Sequence, residues 1–307
     1  MNWLALIALE VLFYSISIFI DNYTSDTFFR GRGAASQKLF FGYAFTIFGI
    51  VIALIFGIDF EHASWINLCM FFLTGVLSTV AGFPFYRALE LDDSTNLSIF
   101  VQLAPVLYLI FGWLFLGEKI SVQQLIAFII ILAGPFFVIA SSKKNRRKRR
   151  IRGALMAALY VLITVSGNLI FVTNSVPGLS FATPSAMLFL GKGISNLVFM
   201  YCSKHYRKRF RDVAEKNGKK LYIPLTINAF ACLVKDITGR VALCIAPTVA
   251  FASAISDSGK PIVMFLMGII LSIIWPEFGR EKISKKSVSV HLIATVLVVV
   301  GIILLQA

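Results

Sequence analysis

Charged side chains are scarce in this 307-residue chain: they make up 14% of it, while 58% of the residues are hydrophobic. A water-soluble domain carries about 25% charged residues, because part of every helix or strand must face water. The four cysteines are scattered, without a C-x-x-C pair, which argues against a disulfide scaffold or a zinc site. We therefore predict that most of the chain lies in lipid, and the composition excludes a disordered chain or a coiled coil.

Motifs of the common enzyme classes are absent as well. The chain has no H-E-x-x-H zinc motif, no G-x-S-x-G nucleophile, no G-x-x-x-x-G-K-S/T phosphate loop and no Rossmann glycine pattern. An intramembrane enzyme would need a pair such as Asp236 and Asp257 at one site, and neither lies in a motif with a catalytic partner. We predict no enzymatic activity, no cofactor and no metal.

Long apolar runs are abundant. A helix needs about 20 apolar residues to cross the hydrocarbon core of a bilayer. Ten runs are close to this length: Trp3–Ile20, Leu39–Ile58, Ile66–Leu89, Thr95–Leu116, Val122–Ala140, Gly153–Val172, Thr183–Tyr201, Leu221–Ile245, Thr248–Trp275 and Val288–Leu305. The sequence therefore predicts an all-α, polytopic membrane protein with ten transmembrane helices.

Basic residues exceed acidic ones by 14, and they are unevenly placed. Of the 29 Lys and Arg residues, 24 fall in the odd-numbered loops or at the helix ends that border them, with dense tracts at Lys143–Arg152 and Lys204–Arg211. Loops rich in Lys and Arg stay on the cytoplasmic side of a membrane. We therefore predict that the protein lies in the plasma or inner membrane, with odd-numbered loops in the cytoplasm and both termini outside. The tracts are expected to contact anionic lipid headgroups and not nucleic acid.

The chain also contains an internal repeat. Glu118-Lys-Ile-Ser recurs as Glu281-Lys-Ile-Ser, each time between the predicted fourth and fifth helices of one half, and Pro105 corresponds to Pro261. Because five crossings reverse the direction of the chain, two such halves have opposite orientations, as in many secondary transporters. The predicted parts are a first five-helix repeat at 1–142, a basic connecting loop at 143–152 and a second five-helix repeat at 153–307.

Short motifs in this repeat resemble those of a known family. They are Tyr86-x-Ala88-Leu89, Pro105-Val106 and Gly117-Glu118-x-x-Ser121-x-x-Gln124, followed by Gly134. On these motifs the chain resembles the EamA-type members of the drug/metabolite transporter superfamily. The resemblance implies two five-helix repeats around a central cavity lined by the third, fourth, eighth and ninth helices. Because members export amino acids, carry sugar phosphates or move other small metabolites, it leaves the substrate open.

Six ionisable residues fall inside predicted helices seven to nine. They are Lys192, Lys235, Asp236, Arg240, Asp257 and Lys260. An unpaired charge at the centre of a transmembrane helix costs about 2.5–3.5 kcal/mol on insertion scales, so these side chains must pair or face water. Asp236 and Arg240 are four residues apart, and Asp257 and Lys260 are three apart, so each pair shares one helix face. Three interpretations stay open: structural ion pairs that hold helices eight and nine together, a substrate site, and proton exchange by Asp257 or Asp236.

The candidate substrate-binding residues combine these charges with polar positions of the repeat. They are Lys260, Arg240, Asp257, Lys235, Asp236, Gln102, Ser258 and Tyr86. Since four buried cations outnumber two anions, Lys260 and Arg240 are the first choices for holding a carboxylate or phosphate. Pro105 and Pro261 are candidate hinges, because a proline inside a helix frees a carbonyl one turn earlier.

Taken together, these patterns predict a secondary transporter that works by alternating access. Its substrate is expected to be a small organic metabolite, anionic or amino-acid-like, that is exported or exchanged. The alternative is a flippase for lipid-linked sugars or a non-transporting membrane assembly subunit. The expected partners are the small-molecule substrate, the lipid bilayer and, if an acidic side chain exchanges protons, a coupling proton.

Overall fold

Helices account for all the regular secondary structure that the computed structural model describes. It describes residues 2–29, 34–91, 103–116, 121, 144–246 and 249–274, together with separate positions within 122–133 and 289–304. The α-helices are α1 (Trp3–Thr27), α2 (Lys38–Phe56), α3 (Trp65–Leu91), α4 (Ala104–Leu116), α5 (Lys144–Asn174), α6 (Ala182–Cys202), α7 (Lys204–Asn217), α8 (Lys219–Ile245) and α9 (Val249–Ile274). A short 3₁₀ helix at Ala34–Gln37 precedes α2. Predicted helices one to four correspond to α1–α4, six and seven to α5 and α6, and eight and nine to α8 and α9.

Six segments in the described residues are long and apolar enough to cross a membrane. They are Trp3–Thr27, Ala35–Phe56, Trp65–Ala88, Ile151–Asn174, Ala182–Cys202 and Lys219–Ile245. Their outward faces carry large apolar side chains such as Leu54 and Trp65, which are 79% and 76% exposed. Such a surface is stable in hydrocarbon and not in water. The chain is therefore an all-helical, polytopic membrane protein.

Predicted helices five and ten fall largely outside the described residues. The separate positions that are described within 122–133 and 289–304 are mostly helical. The Gln123 side chain donates a hydrogen bond to the Leu304 carbonyl oxygen over 3.3 Å, so the two segments are in contact at these positions.

The main helix contacts run between helices that are far apart in sequence. The closest-packed pairs are α2 with α6, α3 with α5, α1 with α8, and α3 with α6. Glycines permit the approach of α3 and α6, because a Cβ atom on Gly191 would collide with the carbonyl oxygen of Phe72. These packed helix pairs surround a polar interior. Apolar side chains on their outer faces separate this interior from lipid.

Two predicted loops are more helical than the sequence indicated. The loop Lys204–Lys220 contains α7, whose Phe210 and Val213 are buried against the ends of α2 and α8 while most of its charged residues are exposed. The basic loop predicted at 143–152 instead begins helix α5 at Lys144. Likewise, α1 continues past the predicted end at Ile20 to Thr27, which places Asp21 inside a helix.

Candidate functional site

A cavity of about 230 Å³ lies within the helix bundle and is lined by α1, α3, α4, α5, α6, α8 and α9, with the first turns of α2. Nine charged side chains line it: Glu10, Asp21, Lys38, Lys192, Lys235, Asp236, Arg240, Asp257 and Lys260. Five are cations and four are anions. Charges are rare inside membrane proteins because each costs several kcal/mol unless it is paired or hydrated, so this concentration marks the cavity as the candidate site.

The first group of charges joins α1 to α9, and we call it the α1–α9 cluster (Glu10, Asp257 and Lys260). The Lys260 ammonium lies 3.0 Å from Glu10 Oε1 and 2.7 Å from Asp257 Oδ1. The hydroxyl of Ser253 donates to Asp257 Oδ2 over 2.9 Å, and Ser256 donates to Glu10. One cation is therefore paired with two carboxylates, and the cluster carries a formal charge of −1.

The second group has the opposite charge, and we call it the Asp236 cluster (Lys192, Asp236 and Arg240). Lys192 on α6 forms an ion pair with Asp236, and Arg240 Nη1 lies 3.5 Å from Asp236 Oδ1. Arg240 also donates to Ser78 Oγ on α3 over 3.4 Å. Its guanidinium lies 5.4 Å from the centre of the Phe171 ring, an additional cation–π contact. One carboxylate is therefore paired with two cations, and this cluster carries a formal charge of +1.

A third carboxylate, Asp21, is held by neutral donors. Its Oδ1 atom accepts hydrogen bonds from Gln37 (3.1 Å), Asn228 (2.8 Å) and Tyr86 (3.2 Å). Within the described part of the chain, no hydrogen bond reaches its Oδ2 atom. The donors favour the charged form of this buried carboxylate, burial opposes it, and its Oδ2 atom stays open to the cavity, without a hydrogen bond within the described structure.

Two cations in the cavity lack a carboxylate partner among the described residues. Lys38 Nζ donates to the carbonyl oxygen of Thr79 over 2.6 Å and lies 4.4 Å from the centre of the Phe83 ring. The Lys235 ammonium contacts the Tyr14 ring, whose centre lies 5.3 Å away. Lys235 is less buried than Lys38. It is therefore the cation best placed to meet an anion in the cavity.

Three buried polar atoms on cavity residues have no hydrogen-bond partner within the described structure. They are the Tyr14 hydroxyl, Asn196 Oδ1 and Arg240 Nε. Buried polar groups in proteins are almost always satisfied, by protein, water or a ligand. Their location around one cavity indicates that it is built to receive polar groups.

The structure brings most of the sequence-predicted site residues together. Six of the eight, Lys260, Arg240, Asp257, Lys235, Asp236 and Tyr86, line this one cavity. Both ion pairs that were predicted from helical spacing are present, Asp236 with Arg240 and Asp257 with Lys260. The two first choices for anion binding, Lys260 and Arg240, already have carboxylate partners, so Lys235 is the freer cation.

The remaining predicted residues are harder to place. Gln102 lies outside the described residues. Ser258 and Pro261 lie on α9, but their side chains are outside the described part of the structure. Pro105 is the second residue of α4, where the first turn has no internal donor to lose. The physical reason for a hinge there is therefore weaker than the sequence indicated, and both proline hinges stay predictions.

Four charged residues of the cavity were missing from the predicted site. Asp21 and Lys38 lie just outside the predicted helices, Lys192 was counted among the intramembrane charges without being chosen as a site residue, and Glu10 in the first apolar run was given no role. A signal was present in the sequence: Glu10, Tyr14, Ser17 and Asp21 are spaced by four, three and four residues, which puts them on one face of a helix. All four line the cavity.

The loop between α2 and α3 is tied to the loop between α5 and α6. Asp59 accepts hydrogen bonds from the backbone amides of His62 (3.0 Å) and Ser180 (3.3 Å), and its own amide donates to Thr183 Oγ1 over 2.8 Å. The hydrogen bonds from His62 lower the pKa of the Asp59 carboxyl, with a smaller contribution from the Ser180 amide. These contacts hold one end of the bundle together.

The helical bundle with several possible membrane spans is that of an integral membrane protein, and its charged internal cavity is a candidate binding site. Residues 1–140 match the EamA-like transporter family, which confirms the resemblance predicted from the sequence motifs. Proteins of this family are transporters and not enzymes.

Among curated proteins, no significant match is found. Among solved structures, 28 chains are significantly similar. One is a crystal structure described only as that of a protein. It is 17% identical to this chain, covers 99% of it and is itself covered to 98%, with a TM-score of 0.54. At this identity the similarity concerns the fold alone.

Proposed function

We propose that the protein is a secondary transporter that moves a small organic metabolite across the plasma or inner membrane by alternating access. The observation that carries the proposal is the charged cavity between helices of an EamA-like fold. The family match is to transporters. A flippase or a non-transporting assembly subunit is not favoured by these findings.

The pattern of helix contacts supports the proposed inverted repeat of ten helices. Adding five to the number of a predicted helix in the first half gives its counterpart in the second half. Predicted helices one and eight (α1 and α8) pack closely. Their counterparts are predicted helices six and three (α5 and α3), and these also pack closely. The same operation converts the pair two and seven (α2 with α6) into itself. A two-fold relation between repeats predicts this result.

The family match supports the proposed boundary between the repeats. It spans residues 1–140, close to the proposed first repeat at 1–142. In the proposed mechanism the two halves rock against each other, and the cavity between them opens first to one side of the membrane and then to the other. The odd-numbered loops, including α7 with its exposed basic residues, would face the cytoplasm.

The charges of the cavity favour a substrate with an anionic group. Five cations against four anions leave one positive charge in excess. Lys235 has no carboxylate partner in the described structure, so we assign it the contact with a substrate carboxylate or phosphate. The open Oδ2 atom of Asp21 is available to an ammonium or hydroxyl group, which fits an amino-acid-like substrate. The exporter or exchanger mode is part of the proposal.

The size of the cavity favours a small substrate. Its volume of about 230 Å³ is below the range of about 300–1,000 Å³ that is typical for drug-sized ligands. A single small metabolite fits this volume, whereas a lipid-linked sugar would require a cavity that opens widely to the bilayer.

Flux measurements in proteoliposomes test the proposal. Radiolabelled amino acids, sugar phosphates and small carboxylates are supplied separately to wild type and to Lys235→Met. Loss of a charge-assisted hydrogen bond costs about 1.5–3 kcal/mol, so KM for the transported anion should rise about 10- to 100-fold in the variant. Lys208→Met, which removes an exposed cation of α7, is the matched control and should transport normally. Absence of flux of every class with folded wild type would refute the proposal, and normal KM in Lys235→Met would refute the assignment of Lys235.

A further inference from the structure

The α1–α9 cluster holds more negative than positive charge at close range. Because the Lys260 ammonium lies 3.0 Å from Glu10 Oε1 and 2.7 Å from Asp257 Oδ1, these two oxygens are within about 6 Å of each other. The side chains of Glu10 and Asp257 are only 14% and 5% exposed. Two carboxylates that share a poorly hydrated site do not both ionise easily, and the pair takes up a proton as a unit.

The other carboxylates of the cavity are held differently. Asp236 lies between two cations, which stabilise its charged form. Asp21 is a single carboxylate held by three neutral donors. Among the described residues of the cavity, the α1–α9 cluster is therefore the place where two carboxylates share one cation.

An independent observation points to the same place. The Tyr14 hydroxyl, one helical turn after Glu10, is buried and has no hydrogen-bond partner in the described structure. The Tyr14 side chain is 5% exposed, and Lys260 lies 4.7 Å from its ring centre. A buried hydroxyl without a partner, in the same cavity as the two carboxylates, is suited to a site that gains a carboxylic O–H or a water molecule when a proton binds.

We propose that the α1–α9 cluster is a proton-binding site, in which Glu10 and Asp257 share one proton while Lys260 stays charged. The proton comes from water and bonds to a carboxylate oxygen, and no other bond changes. Binding converts one ion pair of Lys260 into a hydrogen bond from the charged ammonium to a neutral carboxylic acid. Since Glu10 is on α1 and Lys260 is on α9, a proton on Glu10 weakens a contact between the two proposed repeats.

Charged and titratable groups on the neighbouring helices set the proton affinity. Tyr160 on α5 and Tyr108 on α4 interact electrostatically with the cluster. On α8, Arg240 is bound to Asp236, as is Lys192 on α6. Lys235 on α8 is the exception, because its ammonium and that of Lys260 contact the same Tyr14 ring and are within about 10 Å of each other.

Lys235 therefore offsets part of the negative charge of the cluster. If a substrate anion neutralises Lys235, as the proposed function requires, the cluster should bind its proton more tightly. By thermodynamic reciprocity, the proton should increase the affinity for the anion by the same factor. Anion and proton would then bind cooperatively in one cavity.

Infrared difference spectroscopy tests the site without a substrate. The purified full-length protein in lipid is titrated with acid, and the carbonyl band of protonated carboxyl groups is recorded. Wild type should gain a band of buried carboxylic acid. Glu10→Gln and Asp257→Asn should each remove one acid from this band, because each leaves one carboxylate paired with Lys260. Lys260→Met should add one acid to it, and Glu61→Gln, which removes an exposed loop carboxylate, should leave it unchanged.

Lys235→Met tests the link to the anion site. Removing this nearby cation should move the midpoint of the wild-type band upward by about one pH unit. Absence of the band in wild type, or an undiminished band in both Glu10→Gln and Asp257→Asn, would overturn the proposal, and an unmoved midpoint in Lys235→Met would overturn the link. Because the spectra need no flux, a protein with the band and no transport would contradict only the proposed function.

Discussion

Two substitutions that delete the same ion pair should have unequal effects on stability. Lys192→Met and Asp236→Asn both remove the contact between Lys192 and Asp236. After Lys192→Met, Asp236 and Arg240 remain as a neutral pair 3.5 Å apart. After Asp236→Asn, the ammonium of Lys192 and the guanidinium of Arg240 remain in one buried site without a counter-charge.

The size of the difference follows from this charge balance. Both partners of the ion pair are nearly buried, with 11% and 13% of their side chains exposed, so solvent screens them little. Leaving a buried charge unpaired costs about 3–5 kcal/mol, and we expect this loss for Asp236→Asn. Lys192→Met loses one charge-assisted hydrogen bond, about 1.5–3 kcal/mol. The two variants should therefore differ by about 2 kcal/mol, or about 30-fold in the unfolding equilibrium constant.

Equilibrium unfolding of the full chain in mixed lipid–detergent micelles measures both losses. Lys208→Met on the exposed face of α7 serves as the control and should match wild type. The double variant of Lys192 and Asp236 completes the cycle and isolates their coupling energy. A loss for Lys192→Met that equals or exceeds the loss for Asp236→Asn would refute the charge balance on which this account of the cavity depends.

Three further predictions concern packing, pH and orientation. Gly191→Ala should destabilise the protein by about 1–3 kcal/mol in the same unfolding assay, because its Cβ would collide with the backbone carbonyl of Phe72; wild-type stability would contradict the close approach. Because hydrogen bonds lower the native pKa of Asp59, its contribution to stability is present above the usual Asp pKa and should be lost as pH falls through the lowered value. In thermal unfolding, Asp59→Asn should not show this loss of stability at acid pH. In intact cells, an impermeant thiol reagent should label Glu61→Cys and not Lys208→Cys, and the reverse pattern would invert the proposed topology.

Contacts within one helix could be predicted from the sequence because helical spacing alone determines them. Asp236 and Arg240 are four residues apart on α8, and Asp257 and Lys260 are three apart on α9, and both pairs form. The all-helical, membrane-spanning class follows from apolar runs in the same local way.

Contacts between helices could not be predicted from spacing. Glu10 and Lys260 are 250 positions apart, and their ion pair depends on how α1 packs against α9. Lys38 was misplaced for a related reason: a lysine at the edge of an apolar run has the sequence pattern of a loop residue. Its environment, beside Thr79 and Phe83, is supplied by α3.

The most direct test of the central claim, that the cavity is a transport site reached alternately from both sides, uses the native Cys232. This thiol lines the cavity, 3.2 Å from the Ser17 hydroxyl. A variant that keeps Cys232 as its only cysteine is exposed to a small impermeant thiol reagent, applied to oriented vesicles from one side and then from the other. The account predicts labelling from each side, slowed by the transported anion in both cases. Labelling from one side only, or none from either, would contradict it.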